Sequence, residues 1–316
     1  MPVNSPVSIR KEFRRKEKLM GNQFEITVVA HDKNWAESRI GMAIEEIRRI
    51  ERLLTTFDEN SQVNLVNRNA GISPVQVDRE VFELIERSIK ISSLTDGAFD
   101  ITYGSVDKRL WNFDRNLNAL PDEATARQMV RLINYRNILL DKEQCTVMLK
   151  EEGMRIGFGG IGKGYAAEMA KALLKREGVE SGIVNASGDL TAWGMQANNQ
   201  PWTIGIASPD NAHLPFSFMN ITNMAVATSG NYEKFVVIGG KKYSHTINPK
   251  TGLPVTGIKS VTIISPNAEI ADAMATPVTI MGTRAGLNLV NQVKQLGCII
   301  IDDDNRIYTS KNINLT

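Results

Sequence analysis

GFGGIGKG, residues 157–164, is the stretch on which the fold assignment turns. It reads G-x-x-x-x-G-K and then Gly164, where the phosphate loop of an NTPase carries the Ser or Thr that binds Mg2+. The residues before it, KEEGMRI (150–156), do not read as a buried strand, although CIIID (298–302) could pass for the acidic strand of such a fold. The missing hydroxyl and the strand context weigh against the NTPase reading, which stays as a competitor predicting ATP binding. On either reading the string is a glycine-rich turn entering a helix. The four glycines ahead of Lys163 expose backbone N–H groups, the helix points its positive end at them, and Lys163 adds a mobile cation. A diphosphate cradle and a tight turn that needs glycines for close packing both fit this string.

Outward from that turn, residues 23–30 (QFEITVVA) alternate as a strand. Ile40, Ala43, Ile44, Ile47, Ile50 and Leu54 recur at helical spacing behind a cap placed at Asn34. Asp78 can cap a second helix, and a third is expected over 122–134. A fourth runs from Ile161 to a stop at Gly178. Strands are expected at 137–140, 145–149, 182–186, 202–207, 224–228, 234–238, 260–265 and 298–302, with helices from Ala268 and Thr283 before the last. Strands and helices mix without strict alternation, which predicts an α+β fold with mixed or antiparallel sheets packed against helices. Residues 1–18, polar and holding two prolines, read as a lead-in to a single domain over 19–316.

The 316 residues are 42% hydrophobic and 23% charged with a formal net charge of +2, an ordinary globular balance. Nothing suggests nucleic acid: the basic cluster Arg10, Lys11, Arg14, Arg15, Lys16 and Lys18 is interrupted by Glu12 and Glu17 and lacks aromatics. It reads as a solvated arm or an edge strand. Cys145 and Cys298 lie in short apolar runs and read as buried strand residues without metal-ligand spacing. No apolar run reaches membrane-spanning length, and MPVNSPVSIRKEF lacks the apolar segment of a signal peptide.

Three further features carry chemistry. Asp272 and Thr276 lie four residues apart in a helical segment, on one face, and offer the oxygen donors that suit Mg2+. An exposed Asp and a Thr bonded to its own helix is the plainer alternative. Pro277 follows them, and a kink there would free carbonyl oxygens beside Asp272. His245 sits in YSHTINPKTGLPV, a structured loop rich in Pro, Gly and Asn; His31 and His213 lie in polar loop sequence. Asp96 and Asp100 of TDGAFD could serve acid–base work or cap turns.

Taken in order, these strings resemble the ApbE family of FAD:protein FMN transferases over about 300 residues. The matching blocks are KLMGNQFEI (18–26), LLTTFDENSQVNLVN (53–67), TDGAFDITYG (95–104), GGIGKGYA (159–166), VNASGDL (184–190), AVATSGNYE (225–233), YSHTINPKTGLPV (243–255) and ADAMAT (271–276). The resemblance implies an ApbE-like, T-fold-related α+β architecture. It implies FAD as substrate and Mg2+ held by Asp272, Thr276 and the Gly160 carbonyl. Met20 and Phe57 would touch the flavin, Ala98, Phe99 and Asp100 would form a backbone strip around FAD, and Lys163 would approach the diphosphate. His245 would be the catalytic base, with Thr246 and Ile247 beside the cofactor. Two departures stand out. Gly157 occupies a cofactor-contacting position where the family usually has aspartate, and Phe57 stands where it often has tyrosine, losing a phenol hydrogen bond.

The implied reaction moves FMN from FAD to a Thr or Ser hydroxyl of a target flavoprotein and releases AMP. The implied partners are flavin-carrying subunits of sodium-translocating NADH:quinone reductase-type or Rnf-type complexes. FAD hydrolysis to FMN and AMP, and plain FAD binding without catalysis, are the alternatives; the NTPase reading predicts ATP binding in preference to FAD. The resemblance also implies a periplasmic, membrane-anchored location, with a cytoplasmic one as the alternative.

Overall fold

The computed structural model describes residues 9–110, 119–207, 215–230 and 235–313. In chain order the elements are β1 (Lys11–Leu19), β2 (Asn22–Ala30), α1 (Lys33–Leu54), α2 (Gln62–Arg68), β3 (Val75–Gln76), α3 (Arg79–Leu94), α4 (Glu123–Val130), β4 (Ile138–Asp141), β5 (Thr146–Leu149) and α5 (Gly162–Arg176). There follow β6 (Gly182–Ala186), β7 (Asp189–Trp193), β8 (Trp202–Ala207), β9 (Pro215–Ile221), β10 (Met224–Gly230), β11 (Phe235–Ile238), β12 (Lys241–Ser244), β13 (Ile258–Ser265), α6 (Ala268–Val290), β14 (Gly297–Asp302) and β15 (Ile307–Thr309). The frame is an eight-stranded sheet in the order β1-β2-β6-β7-β10-β13-β14-β15, and every pairing in it is antiparallel. The α+β architecture read from the sequence is the one observed.

Both faces of this sheet are buried, which explains its apolar runs. On β13 and β14, Val261, Ile263, Cys298 and Ile300 pack into the main core, while Ile264 and Ile299 belong to a second cluster on the opposite face. With period-two alternation, a strand covered on both sides shows no polar face. The main core is closed by α1, α5 and α6. The second is closed by the β8–β9 hairpin through Trp202, Ile206 and Ile221. The buried stripe of α1 (Ala36, Ile40, Ala43, Ile44, Ile47, Ile50, Leu54) follows the predicted spacing.

Several expectations need correction. Residues 11–18, placed in the lead-in, form with Leu19 the edge strand β1, paired with β2 along its whole length, which is the edge-strand alternative read for the basic cluster. Its lysines and arginines suit an edge that must not pair with another chain. Residues 1–8 of that lead-in lie outside the described residues. Helix α1 is capped by Asp32, whose carboxylate accepts from Trp35 N at 2.7 Å, rather than by Asn34. The third helix ends at Val130. Cys145 is half-buried in a turn at φ 50°, not inside a strand; Cys298 is buried in β14 as expected. Pro277 sits within helical geometry, and the break in α6 falls at Gly282 (φ 82°, ψ 168°). That break folds the chain back, so a Cβ on Gly286 would meet Val278 Cγ1 at 2.7 Å, which a continuous helix would not allow. The strands β3, β7, β9, β12 and β15 and the short helix α2 escaped sequence reading. His213 and Lys234 lie outside the described residues.

Candidate active site

One end of the main sheet gathers the functional strings. The β1–β2 turn is Met20–Gly21, both at positive φ (52° and 71°), and the β6–β7 turn is Ser187–Gly188 (53° and 103°). With positive φ at both positions these are type I′-like hairpin turns, a conformation that a bulky Met adopts only at a cost. The two tips are tied together: Ser187 Oγ accepts from Gln23 N and donates to Gln23 O, each at 3.1 Å. Met20 reaches from its turn to the start of α5, its Cε 3.6 Å from where a Cβ on Gly162 would lie.

No strand precedes the glycine turn at 157–161, and this excludes the NTPase loop. Gly157 N–H donates to Ile101 O at 2.9 Å, and a Cβ there would meet only Thr56 Cγ2 at 3.8 Å, so the position has room for a side chain. Gly160 lies over Phe99, whose ring is 3.6 Å from a Cβ built on it. Helix α5 starts behind Ile161, which offers no side-chain cap. Asp272 of α6 supplies the cap from across the interface: its Oδ2 accepts from Gly164 N at 2.8 Å. A carboxylate suits this positive helix end. Gly164 is required there, because a Cβ would come within 2.6 Å of Asp272 Cβ.

Asp272 is buried, and its carboxyl is pushed up to about 7 by that burial and by the charge of Asp189, against the opposing pull of Lys163 and the Gly164 N–H. Asp189, at the start of β7, is also buried. It accepts a hydrogen bond from Lys163 Nζ through Oδ2, while its Oδ1 accepts from Thr228 N at 3.1 Å. Burial works against the Lys163 charge, but Asp189 and Asp272 outweigh it and hold its pKa above the usual lysine value. Asp189 was missed as a site residue. The signal was there, since VNASGDL is one of the matching blocks, but spacing alone does not show that its acid faces Lys163.

Among the described residues, no group of three or more His, Cys, Asp or Glu side chains is arranged to hold a metal. A cation would need a mixed oxygen set. Asp272, with Thr276 half-buried one helical turn further on, fits that requirement. So does the carboxyl's electrostatics: a buried acid raised by a neighbouring acid is a group that a divalent cation would restore to its charged form.

The remaining predicted residues fall on the facing loops. Ala98 and Phe99 are buried. The Asp100 carboxylate is turned inward, where it accepts from Thr102 N (2.8 Å), Thr102 Oγ1 (2.7 Å) and Tyr135 N (2.8 Å), so only its backbone is left to a ligand. Burial raises its pKa despite these bonds. His245 is exposed on the loop after β12. Thr246 and Ile247 beside it are buried; Thr246 N donates to Ser244 Oγ at 2.9 Å and Ile247 N donates to Tyr103 Oη at 3.3 Å. Lys250 pairs with Asp96, tying the far side of the loop to the TDGAFD turn. Phe57 is 98% exposed.

A match to the model of the ApbE family spans residues 20–300. The chain belongs to the ApbE family. Among its relatives, a FAD:protein FMN transferase of Klebsiella pneumoniae is 31% identical over 294 residues, covering 92% of this chain and 90% of that protein. A FAD:protein FMN transferase of Treponema pallidum is 29% identical over 322 residues, covering 96% and 88%. The crystal structure of the ApbE protein of Thermotoga maritima superposes with a TM-score of 0.85 at 30% identity, covering 95% of this chain and 97% of that one. The apo flavinyl transferase ApbE of Pseudomonas stutzeri shares the fold at a TM-score of 0.85 and 24% identity. The ApbE match thus embraces the sheet, the glycine turn and the ends of α5 and α6 where the buried charges lie.

Proposed function

We propose that this chain transfers FMN from FAD to a Thr or Ser hydroxyl of a flavoprotein, with release of AMP and dependence on Mg2+. The observation that carries the reading is the cluster at the glycine turn of half-buried Lys163 with buried Asp189 and Asp272, in a member of a family whose relatives are FAD:protein FMN transferases. It provides a cationic side chain and an oxygen site for a hard cation, two of the parts a diphosphate needs.

In this reading the hydroxyl oxygen of the acceptor attacks the FMN phosphorus. A new P–O bond forms, the bond from that phosphorus to the bridging oxygen breaks, and the bridging oxygen leaves with AMP. His245, exposed where an incoming protein can reach it, accepts the hydroxyl proton. Lys163 offsets charge on the diphosphate, and the hairpin tip at Met20 with the 98–100 strip orients the flavin half. Mg2+ held by Asp272, Thr276 and the Gly160 carbonyl would neutralise the charge that builds on the phosphate oxygens. Supporting this fit, Asp272 is already fixed beside the start of α5 by the Gly164 N–H.

Exposure of His245 also favours a second outcome, in which water takes the place of the hydroxyl and FMN and AMP are both set free. One experiment separates the two. The protein is mixed with FAD, Mg2+ and a small acceptor domain bearing a target threonine. The acceptor is weighed and AMP is quantified. One FMN on the acceptor per AMP is expected. AMP with an unmodified acceptor would replace the transferase reading with hydrolysis, and no AMP at all would remove both.

A further inference from the structure

Lys163 and Asp189 form an unequal pair. The Asp189 side chain is 8% exposed and is fixed from behind by the Thr228 N–H, whereas Lys163 is 28% exposed on a flexible stem. The acid is therefore the anchor and the ammonium the part able to move. Lys163 also feels the charge of Asp272. One ammonium facing two carboxylates leaves a net charge of about minus one when both acids are ionised. A diphosphate diester brings two more negative charges to that place. Without a further cation it meets a lysine whose charge is already engaged.

We propose that Asp189 is a positioning residue that withholds Lys163 from the diphosphate until a divalent cation binds, so that FAD binding is coupled to Mg2+. A cation beside Asp272 lowers the attraction that keeps the ammonium on the acids, and Lys163 turns to the phosphate oxygens. Coupling of this kind is reciprocal: FAD must tighten Mg2+ by the same factor as Mg2+ tightens FAD. The inference rests on FAD being the substrate.

The test is equilibrium dialysis of FAD without acceptor at pH 8.5, with Mg2+ or with EDTA, for the wild type, Asp189→Asn, Lys163→Gln and the double variant. Asn keeps an oxygen for the Thr228 N–H and loses the charge that holds Lys163, so a purely structural role for Asp189 predicts no change. The wild type should bind FAD at least about tenfold tighter with Mg2+. In Asp189→Asn the metal-free affinity should rise about tenfold, the worth of a charge-assisted hydrogen bond released to the ligand, and the Mg2+ effect should shrink to match. The double variant should lose that gain and bind metal-free FAD as Lys163→Gln does. An Asp189→Asn protein with unchanged or weaker metal-free affinity, beside a wild type that shows the Mg2+ effect, overturns this inference alone. A wild type that binds no FAD under either condition overturns the proposed function as well.

Discussion

Asp272 and His245 serve one reaction in the proposed function, yet they are held by opposite means. Asp272 lies buried on α6, its carboxylate capping α5, with Gly164 pressed against it and Asp189 and Lys163 alongside. His245 is exposed on a loop, its neighbours held by hydrogen bonds from Thr246 N to Ser244 Oγ and from Ile247 N to Tyr103 Oη and by the surface pair Lys250–Asp96. The difference fits two kinds of ligand. A diphosphate and a cation have fixed shape and high charge, and a rigid site with its dipoles already oriented serves them without reorganisation. A protein acceptor must be admitted from solvent, and the group that meets it belongs on an accessible loop.

The sharpest challenge to this division is Asp272→Ala. It should lower FMN transfer by about 10³-fold or more, because charge stabilisation on the phosphate is the largest contribution assigned to the buried half. Initial rates of acceptor labelling read it, and a loss under tenfold would break the assignment. His245→Ala should cost about 10²-fold in kcat, in keeping with loss of a general base. Its rate should recover as pH is raised and the acceptor hydroxyl ionises more readily; a pH-independent loss would argue for a structural role.

Packing separates the halves next. Gly164→Ala forces atoms of Ala268 and Asp272 apart and should destabilise the fold by about 1–3 kcal/mol, seen as a lower Tm. Gly159→Ala, with no atom within 4 Å of the new methyl, should leave Tm within about 1 °C of wild type. Equal effects would mean that the α5–α6 contact is not the constraint it is taken to be.

The pH dependence of the metal-free protein follows from the raised Asp272 carboxyl. The folded chain holds a proton on Asp272 that the unfolded chain releases near pH 4, so this group's contribution to stability falls as pH rises from about 4 to about 7. Mg2+ should therefore raise Tm more at pH 8 than at pH 5.5, since at the lower pH it must displace the proton. Thermal melts at both pH values with and without Mg2+ check this, and an equal shift at both would contradict it. The smallest effect is expected for Lys250→Ala: an exposed ion pair contributes under about 1 kcal/mol, so transfer should stay within about twofold.

The same contrast governs what the sequence made legible. The stripe of α1 and the strands β6, β8 and β10 announce themselves by local periodicity, and Gly178 marks the end of α5 by its need for positive φ (85°). The edge strand β1 was legible only as one of two readings of its basic cluster, because an edge facing solvent on one side carries charges that imitate a polar arm. Asp272 was legible from its spacing to Thr276, but the contact of its carboxylate with Gly164, 108 positions away in the chain, was not. Asp189 went unassigned for the same reason: its partners Lys163 and Thr228 come from other elements and meet only when the sheet end assembles. The separate helix expected from Thr283 does begin there, since positive φ at Gly282 lets the chain fold back, whereas the kink considered at Pro277 does not occur.

The most direct test of the division between the two halves is FAD binding by His245→Ala, measured by equilibrium dialysis with Mg2+ beside wild type and Asp272→Ala. If substrate and cation belong to the buried half, His245→Ala should bind FAD within about twofold of wild type while Asp272→Ala loses the Mg2+-dependent part of the affinity. A His245→Ala protein that binds FAD as poorly as Asp272→Ala would contradict that division.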